Sequence, residues 1–178
     1  MNQRPQSNEY IPYYSTYIQL VPEGDIIGIL EEQVQDTVKL LKNISPSQAH
    51  FRYGPDKWTI KEVIGHIADT ESIMSYRLLS FARGEMAELP GFDEDSYVQA
   101  ADFNRLSAED LLDNFEAVRK ANVLLLKSLD EGMWTRGGSA NESPVTVRAL
   151  AWIIAGHELH HRSIIKDRYM GAESYPQA

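Results

Sequence analysis

The sequence predicts an all-α fold, a four-helix bundle with one long crossover between the second and third helices. Four segments repeat apolar residues at every third or fourth position, which is the pattern of a helix with one buried face. No segment shows the strict alternation typical of a half-buried strand. Residues 84 to 106 form a long connection, and such a connection in a bundle usually lets two consecutive helices run parallel.

The first helix is predicted from Asp25 to Leu41. The second begins after Thr59, because Glu62 stands three positions later and completes a capping box. Gly84 is expected to end it, since glycine tolerates the backbone geometry that follows a helix.

The third helix is predicted to begin after Ser107 as N-cap and to end before Gly132. The fourth runs from about Thr146 to Tyr169 or Met170. Its C-terminal half is rich in lysine and arginine, which favour the negative end of the helix dipole.

The chain has 178 residues, which fits a single domain over residues 1–178. Residues 1–24 form a tyrosine-rich N-terminal strap with four tyrosines, namely Tyr10, Tyr13, Tyr14 and Tyr17. The favoured interpretation is that their rings pack on the bundle while their hydroxyls stay in water. The alternative is that the rings stack on a ligand.

Composition excludes several function classes. The chain has no cysteine, which removes disulfides, thiolate metal sites and cysteine nucleophiles. The formal net charge of −9 argues against nucleic acid as a partner. The N-terminal segment lacks the apolar core of a signal peptide, and the longest apolar run is too short for a bilayer. We therefore expect a soluble, cytoplasmic protein with no membrane partner.

The stretch "IIAGHELHHRSIIKDRY", residues 153–169, holds three of the five histidines. On a helix, His157 and His161 share one edge of the buried face, whereas His160 faces water. His66 flanks the buried stripe of the second helix. We predict that His66, His157 and His161 bind a metal ion and leave a coordination position open, as a catalytic site requires. The alternative is a set of hydrogen-bonded core or surface histidines.

Glu158 falls near the centre of the fourth helix's apolar stripe, where a carboxylate is costly unless it is paired. It is predicted either to orient a ligand imidazole or to act as a general base on bound water. The motif H-E-x-x-H also matches the zinc-protease signature. That interpretation is the least supported, because only Glu173 follows as a candidate third ligand and no strand edge is predicted for a peptide.

Three further polar sites leave alternatives open. Asn122 is predicted on a buried face, bonded either to the core or to a substrate. Arg77 is predicted to form a structural salt bridge, with a bidentate contact to a carboxylate as the alternative. The acidic run 93–95 is expected in a solvated loop, with a contact to a partner subunit or substrate as the alternative, and His50 is expected at the surface.

The segments "WTIKEVIGHIADTE" and "GHELHHRSIIKDRY" resemble the second and last helices of the DinB/YfiT-like superfamily. "YIQLVPEGDIIGILEEQ", "PGFDEDSYV" and "SPVTVRALAWIIAGHE" resemble its YfiT-like branch, so the resemblance covers about residues 17–169. It implies a bundle with up-down-down-up helix order and a zinc or nickel ion on His66, His157 and His161. It also implies a homodimer.

The resemblance further implies a metal-dependent enzyme with a small-molecule substrate. One branch consists of thiol S-transferases that join a low-molecular-weight thiol, such as bacillithiol, to an electrophile. Others are metal-dependent hydrolases, and a more distant group isomerises maleylpyruvate with mycothiol. The alternative from another class is a non-catalytic metal-binding or dimerisation module of a stress response.

Overall fold

The computed structural model describes residues 3–177, so residues 1, 2 and 178 of the predicted domain and strap lie outside the described part. Its helices are α1 (Ser15–Ile18), α2 (Ile26–Leu41), α3 (Pro46–Ala49), α4 (Ile60–Ala82), α5 (Glu94–Ala101), α6 (Ala108–Lys127), α7 (Glu131–Trp134) and α8 (Val147–Ile164). Two short strands, β1 (Gly137–Ala140) and β2 (Ser143–Thr146), pair antiparallel. Short 3-10 helices occupy Pro12–Tyr14 and Phe103–Arg105, and α8 continues as π-helical turns over Ile165–Met170.

Helices α2, α4, α6 and α8 form the predicted four-helix bundle, and α4 packs against both α6 and α8. One hydrophobic cluster joins the first halves of α2 and α8 to the second halves of α4 and α6. A second cluster joins the opposite halves of the same four helices. Helices α4 and α6 therefore run parallel to each other and antiparallel to α2 and α8, which confirms the up-down-down-up order.

The four long helices begin at the predicted positions, and two of their N-caps, Thr59 and Ser107, were predicted as caps. The side chains of Asp25, Thr59, Ser107 and Thr146 each accept a hydrogen bond from a backbone N–H of the first turn. Such bonds satisfy donors that have no partner within the helix. Thr59 and Ser107 also form complete capping boxes with the residue three positions later.

Two expectations about the connections are wrong. The crossover is not a continuous loop, because residues 93–95 start helix α5, with Asp93 as its N-cap. Only Val98 is buried in α5, so the sequence lacks a recognisable apolar stripe there. The β1–β2 hairpin was also unexpected. Its turn residues Asn141 and Glu142 have φ of 54° and 57°, the left-handed geometry that two-residue hairpin turns need.

Within residues 3–177, no helix has the length and apolar character needed to span a bilayer.

Candidate metal centre

Helices α4 and α8 bring three histidines to one point. The Nε2 atom of His157 lies 3.1 Å from Nε2 of His66 and 3.1 Å from Nε2 of His161. One ligand atom from each of the three rings lies within 4.8 Å of the others. His157 and His161 are one turn apart on α8, and His66 faces them from the antiparallel α4. The structure thus brings together the three residues predicted as metal ligands.

Burial keeps these imidazoles neutral. Loss of contact with water lowers the pKa of His66 to about 4. Burial, and secondarily the neighbouring histidines, hold the pKa values of His157 and His161 well below the usual range. A neutral imidazole whose Nε2 carries no proton offers that atom's lone pair, and this is the form that binds a metal.

The geometry fits a divalent ion better than it fits hydrogen bonding. Two nitrogens that each lie 2.0–2.1 Å from a tetrahedral zinc are about 3.3 Å apart, close to the 3.1 Å spacing here. Without a cation, the single Nε2 of His157 would have to serve two neighbouring Nε2 atoms at once. The donor set is three imidazoles with no thiolate, which suits a divalent transition-metal ion.

Aromatic rings fix the orientation of the histidines. The Trp58 ring lies 4.7 Å from the His66 ring, and the Tyr17 ring packs edge-on to His157 with centroids 5.6 Å apart. The Thr70 hydroxyl lies 3.5 Å from His66 Nδ1, the ring nitrogen that faces away from the cluster. When this hydroxyl accepts a hydrogen bond from Nδ1–H, it favours the tautomer with Nε2 unprotonated.

The triad stands in the wall of a cavity of about 540 Å³. Pockets of this size take small organic ligands. Helices α4 and α8 supply two walls, the N-terminal strap supplies a third, and the crossover and the β1–β2 turn close the far side. The cavity leaves one side of the histidine cluster accessible, as a catalytic metal site requires.

The strap is part of the cavity and not only a cover for the bundle. Tyr10 and Tyr14 pack against the core as predicted, but Tyr13, Tyr14 and Tyr17 also line the cavity. Gly156 makes this possible, because a Cβ there would lie 2.2 Å from the backbone oxygen of Tyr17. The strap therefore rests directly on the backbone of α8.

Glu158 lies elsewhere. Its side chain is fully buried, it accepts hydrogen bonds from Thr37 (2.6 Å) and Arg119 (2.8 Å), and it is not among the described residues that line the cavity. Arg119 also holds Glu71 through two bonds of 2.7 and 2.8 Å. Asn122 donates to Glu71 and is likewise absent from the cavity wall. This placement supports pairing within the core for Glu158 and Asn122, and it gives no support to Glu158 as a general base.

Three other sequence expectations have clear outcomes. His50 is exposed, as expected. His160 does not simply face water, because it is half-buried, lines the cavity and packs on the Tyr17 ring. The salt bridge predicted for Arg77 is wrong, since Arg77 is 4% exposed and forms an ion pair with no carboxylate of residues 3–177.

Sequence reasoning missed Trp58 and Glu71 as residues of the cavity, and it gave a ligand-facing position for Tyr17 only as the alternative. Trp58 precedes the Thr59 cap, so its position next to His66 depends on how the loop enters α4. Glu71 faces both the cavity and Arg119, which is distant in sequence. No local pattern signals such contacts.

Comparisons with known proteins agree with this geometry. The sequence model of the DinB superfamily matches residues 29–165. The protein OB0782 of Oceanobacillus iheyensis, provisionally named a metal-dependent hydrolase, is 28% identical over 148 residues, covering 78% of this chain and 86% of that protein.

Solved structures show the same fold. YfiT from Bacillus subtilis, described as a probable metal-dependent hydrolase with an unusual four-helix bundle topology, gives a TM-score of 0.74 at 19% identity, covering 96% of this chain and 94% of that one. The mycothiol-dependent maleylpyruvate isomerase gives 0.67 at 12% identity, covering 89% and 66%. YjoA, a DinB-like protein from Bacillus subtilis, gives 0.58 at 20% identity, covering 86% and 96%.

At these identities the three structures establish the fold and not an activity. The family match is made on the sequence, and the matched residues 29–165 include the three histidines and nearly all of the four bundle helices. This chain belongs to the DinB superfamily.

Proposed function

We propose that this protein is a metal-dependent enzyme that transfers a low-molecular-weight thiol to an electrophilic small molecule. The observation that carries the proposal is the convergence of three neutral imidazoles in the wall of a cavity of about 540 Å³. A metal site that only stabilises the fold is closed by four protein ligands. The cluster here has three, among the described residues, and a cavity beside them.

A divalent ion held by His66, His157 and His161 would supply a positive charge that stabilises a thiolate, or hydroxide, at its open position. The chain's own residues would do the rest. Trp58 and Tyr17 hold the imidazoles in place, and the strap covers the cavity against bulk water. The apolar side chains of Ile153 and Ile154 provide a surface for the substrate.

In the proposed reaction, the thiol loses its proton to solvent at the cavity mouth. Its sulfur forms a bond to the electrophilic carbon as the bond from that carbon to a halide breaks, and the halide leaves with the electron pair. The chain has no cysteine, so the sulfur must come from an external thiol.

Hydrolysis is the second candidate. It is favoured by the name given to OB0782 and by the description of YfiT. The same cavity would then hold a water molecule in place of the thiol.

The two candidates separate in one assay. Zinc- or nickel-loaded protein is incubated with a halogenated or epoxide substrate, with and without a small thiol, in water enriched in ¹⁸O. A thioether product that requires both protein and thiol supports the transferase. An ¹⁸O-labelled product that forms equally without thiol supports the hydrolase. If neither product exceeds that of a His161→Ala control across a broad electrophile panel, the enzymatic proposal fails.

A further inference from the structure

Arg77 is a buried cation in the cavity wall that lacks an anionic partner. Its Nη2 donates to the backbone oxygen of Pro90 at 2.7 Å, and its Nη1 lies 3.6 Å from the Met74 sulfur. It pairs with no carboxylate of residues 3–177, although it is only 4% exposed. A buried charge is costly unless it is paired. The positive charge of Arg77 is therefore available to pair with an anionic group of a ligand.

The acidic groups near Arg77 do not form an ion pair with it. Hydrogen bonds from Ser139 and Glu142 are the main causes that lower the pKa of Glu88, an exposed carboxylate to which Arg77 adds a smaller effect. Glu71 is already held by Arg119, and Glu94 belongs to the exposed first turn of α5. Burial raises the pKa of Tyr14 more than Arg77 lowers it, so Tyr14 keeps its proton. Among the described residues that line the cavity, Arg77 is the only lysine or arginine.

The position of Arg77 defines the shape of a ligand. It follows His66 by about three helical turns, which places both on the same face of α4, with their Cα atoms about 16 Å apart along the axis. Both side chains lean towards the helix N-terminus, and the longer arginine side chain leans further, so we estimate that the guanidinium lies on the order of 10 Å from the histidines. Thr70 and Met74 line the wall between them, with Ile153 and Ile154 on α8.

We propose that Arg77 binds a carboxylate of the substrate or of the thiol, and that the ligand therefore lies along α4 with its reacting atom at the histidines. The position of the reacting atom at the histidines rests on the proposed function, whereas the binding of a carboxylate by Arg77 does not. A single guanidinium matches one planar carboxylate with two oxygens. A dianionic phosphate would need more cations than this cavity offers.

The test uses matched acids and esters of suitable length. An extended eight-carbon chain spans about 10 Å. Octanoic acid and methyl octanoate are titrated calorimetrically into metal-free protein, and 8-mercaptooctanoic acid and its methyl ester into zinc-loaded protein. The variants are Arg77→Met, which removes the charge, and Arg77→Lys, which keeps the charge without the planar fork. Arg136→Met is the control, because Arg136 also donates to a backbone oxygen, that of Ala82, but does not line the cavity.

We expect wild type and Arg136→Met to bind the acids at least about tenfold more tightly than the esters, the effect of a charge-assisted contact. In Arg77→Met the acid and ester should bind within about twofold of each other, and Arg77→Lys should fall between. Equal binding of acid and ester by wild type would overturn the proposal. So would an equal loss of both in Arg77→Met, because Arg77 would then serve only to tie the backbone at Pro90.

Two further arms identify which ligand carries the carboxylate. One pairs 8-mercaptooctanoic acid with a neutral electrophile, and the other pairs 8-bromooctanoic acid with 2-mercaptoethanol, each beside its methyl ester. An acid preference in KM that disappears in Arg77→Met assigns the carboxylate to the thiol or to the electrophile, respectively. Metal content is measured in the same samples. Wild-type protein that holds no metal or shows no turnover would count against the proposed function, whereas the octanoate titration tests Arg77 without either.

Discussion

Two polar clusters lie inside the bundle, and they differ in how their polar atoms are satisfied. In the ionic cluster of Glu71, Arg119 and Glu158, the guanidinium donates to both carboxylates and to the backbone oxygen of Leu30. In the histidine cluster, three nitrogens face one another and share no complete set of hydrogen bonds. The two clusters alternate along α8, since Glu158 follows His157 directly.

The difference separates stability from function. A buried group whose partners are all protein groups needs nothing from outside, whereas converging lone pairs need a cation. Burial lowers the pKa of Arg119, but Glu71 and Glu158 together raise it by a larger amount, so the guanidinium stays charged. The histidines remain neutral beside this cluster because burial lowers their pKa values. We infer that the ionic cluster holds the bundle together and that the histidine cluster serves a ligand.

The largest effect is expected from breaking the ionic cluster. Arg119→Met leaves two carboxylates buried without their cation, which should lower the free energy of unfolding by about 3–5 kcal/mol. Urea denaturation measures this loss. Arg105→Met is the control, because Arg105 is exposed and its replacement should change stability by less than about 0.5 kcal/mol.

The same variant sharpens the contrast between the clusters. The fraction of Arg119→Met that remains folded should still bind about one divalent ion per chain, because Arg119 touches no histidine. A loss below about 1 kcal/mol, or a loss of metal from folded protein, would contradict the division of roles.

A smaller effect is expected where the strap meets the histidine helix. Gly156→Ala places a methyl group 2.2 Å from the Tyr17 backbone oxygen, so the strap must shift, at a cost of about 1–3 kcal/mol. Gly28→Ala is the matched control in α2, since the nearest atom to its added Cβ is 3.6 Å away, and it should gain roughly 0.5 kcal/mol. Thermal unfolding compares the two. If both glycines tolerate alanine equally, the strap does not rest on α8 as described.

The smallest effect concerns the pH dependence of the strap. Glu9 accepts hydrogen bonds from Arg148, from the Thr146 hydroxyl and from the Gln6 N–H. Burial raises the pKa of Glu9, but these bonds outweigh burial and lower it overall. The stabilisation is therefore complete above the ordinary pKa of 4.5 and is lost as pH falls through the lower folded value.

We expect Glu9→Gln to lower stability by about 1 kcal/mol at pH 7, as the loss of charge-assisted hydrogen bonds would. The difference from wild type should shrink as the pH falls below 4.5. Urea unfolding of both proteins at pH 7 and at pH 3.5 checks this. A difference in stability that grows on acidification would contradict a stabilising role of the charged Glu9 carboxylate.

The sequence predicted the parts of the structure that follow local rules. Helix starts were predictable because a cap bonds to a backbone N–H only two or three residues away, as at Thr59 and Ser107. The placement of His157 and His161 on one edge of α8 followed from the helical period. Adding His66 required two helices to pack together, and the sequence signal for it was only its position beside the buried stripe of the second helix.

The remaining features depend on contacts between distant residues. Arg119 and Glu71 belong to different helices, so no local pattern announces their pair. The hairpin was hidden because its turn uses Asn141 and Glu142 in place of the usual Asn-Gly, and its strands contain glycine and Pro144. Arg77 was expected to form a salt bridge, whereas it donates to the backbone oxygen of Pro90, a residue of the crossover that no local pattern places beside α4.

The most direct test of the metal site is the metal content of untagged protein, measured by mass spectrometry for wild type and His161→Ala. His50→Ala is the control, since His50 is exposed and far from the cluster in the chain. We predict about one divalent ion per chain in wild type and in His50→Ala. His161→Ala should lose this ion and bind zinc at least about 100-fold more weakly, roughly the scale on which metal sites respond to lost interactions. Wild-type protein that is purified without metal and binds neither zinc nor nickel would contradict it.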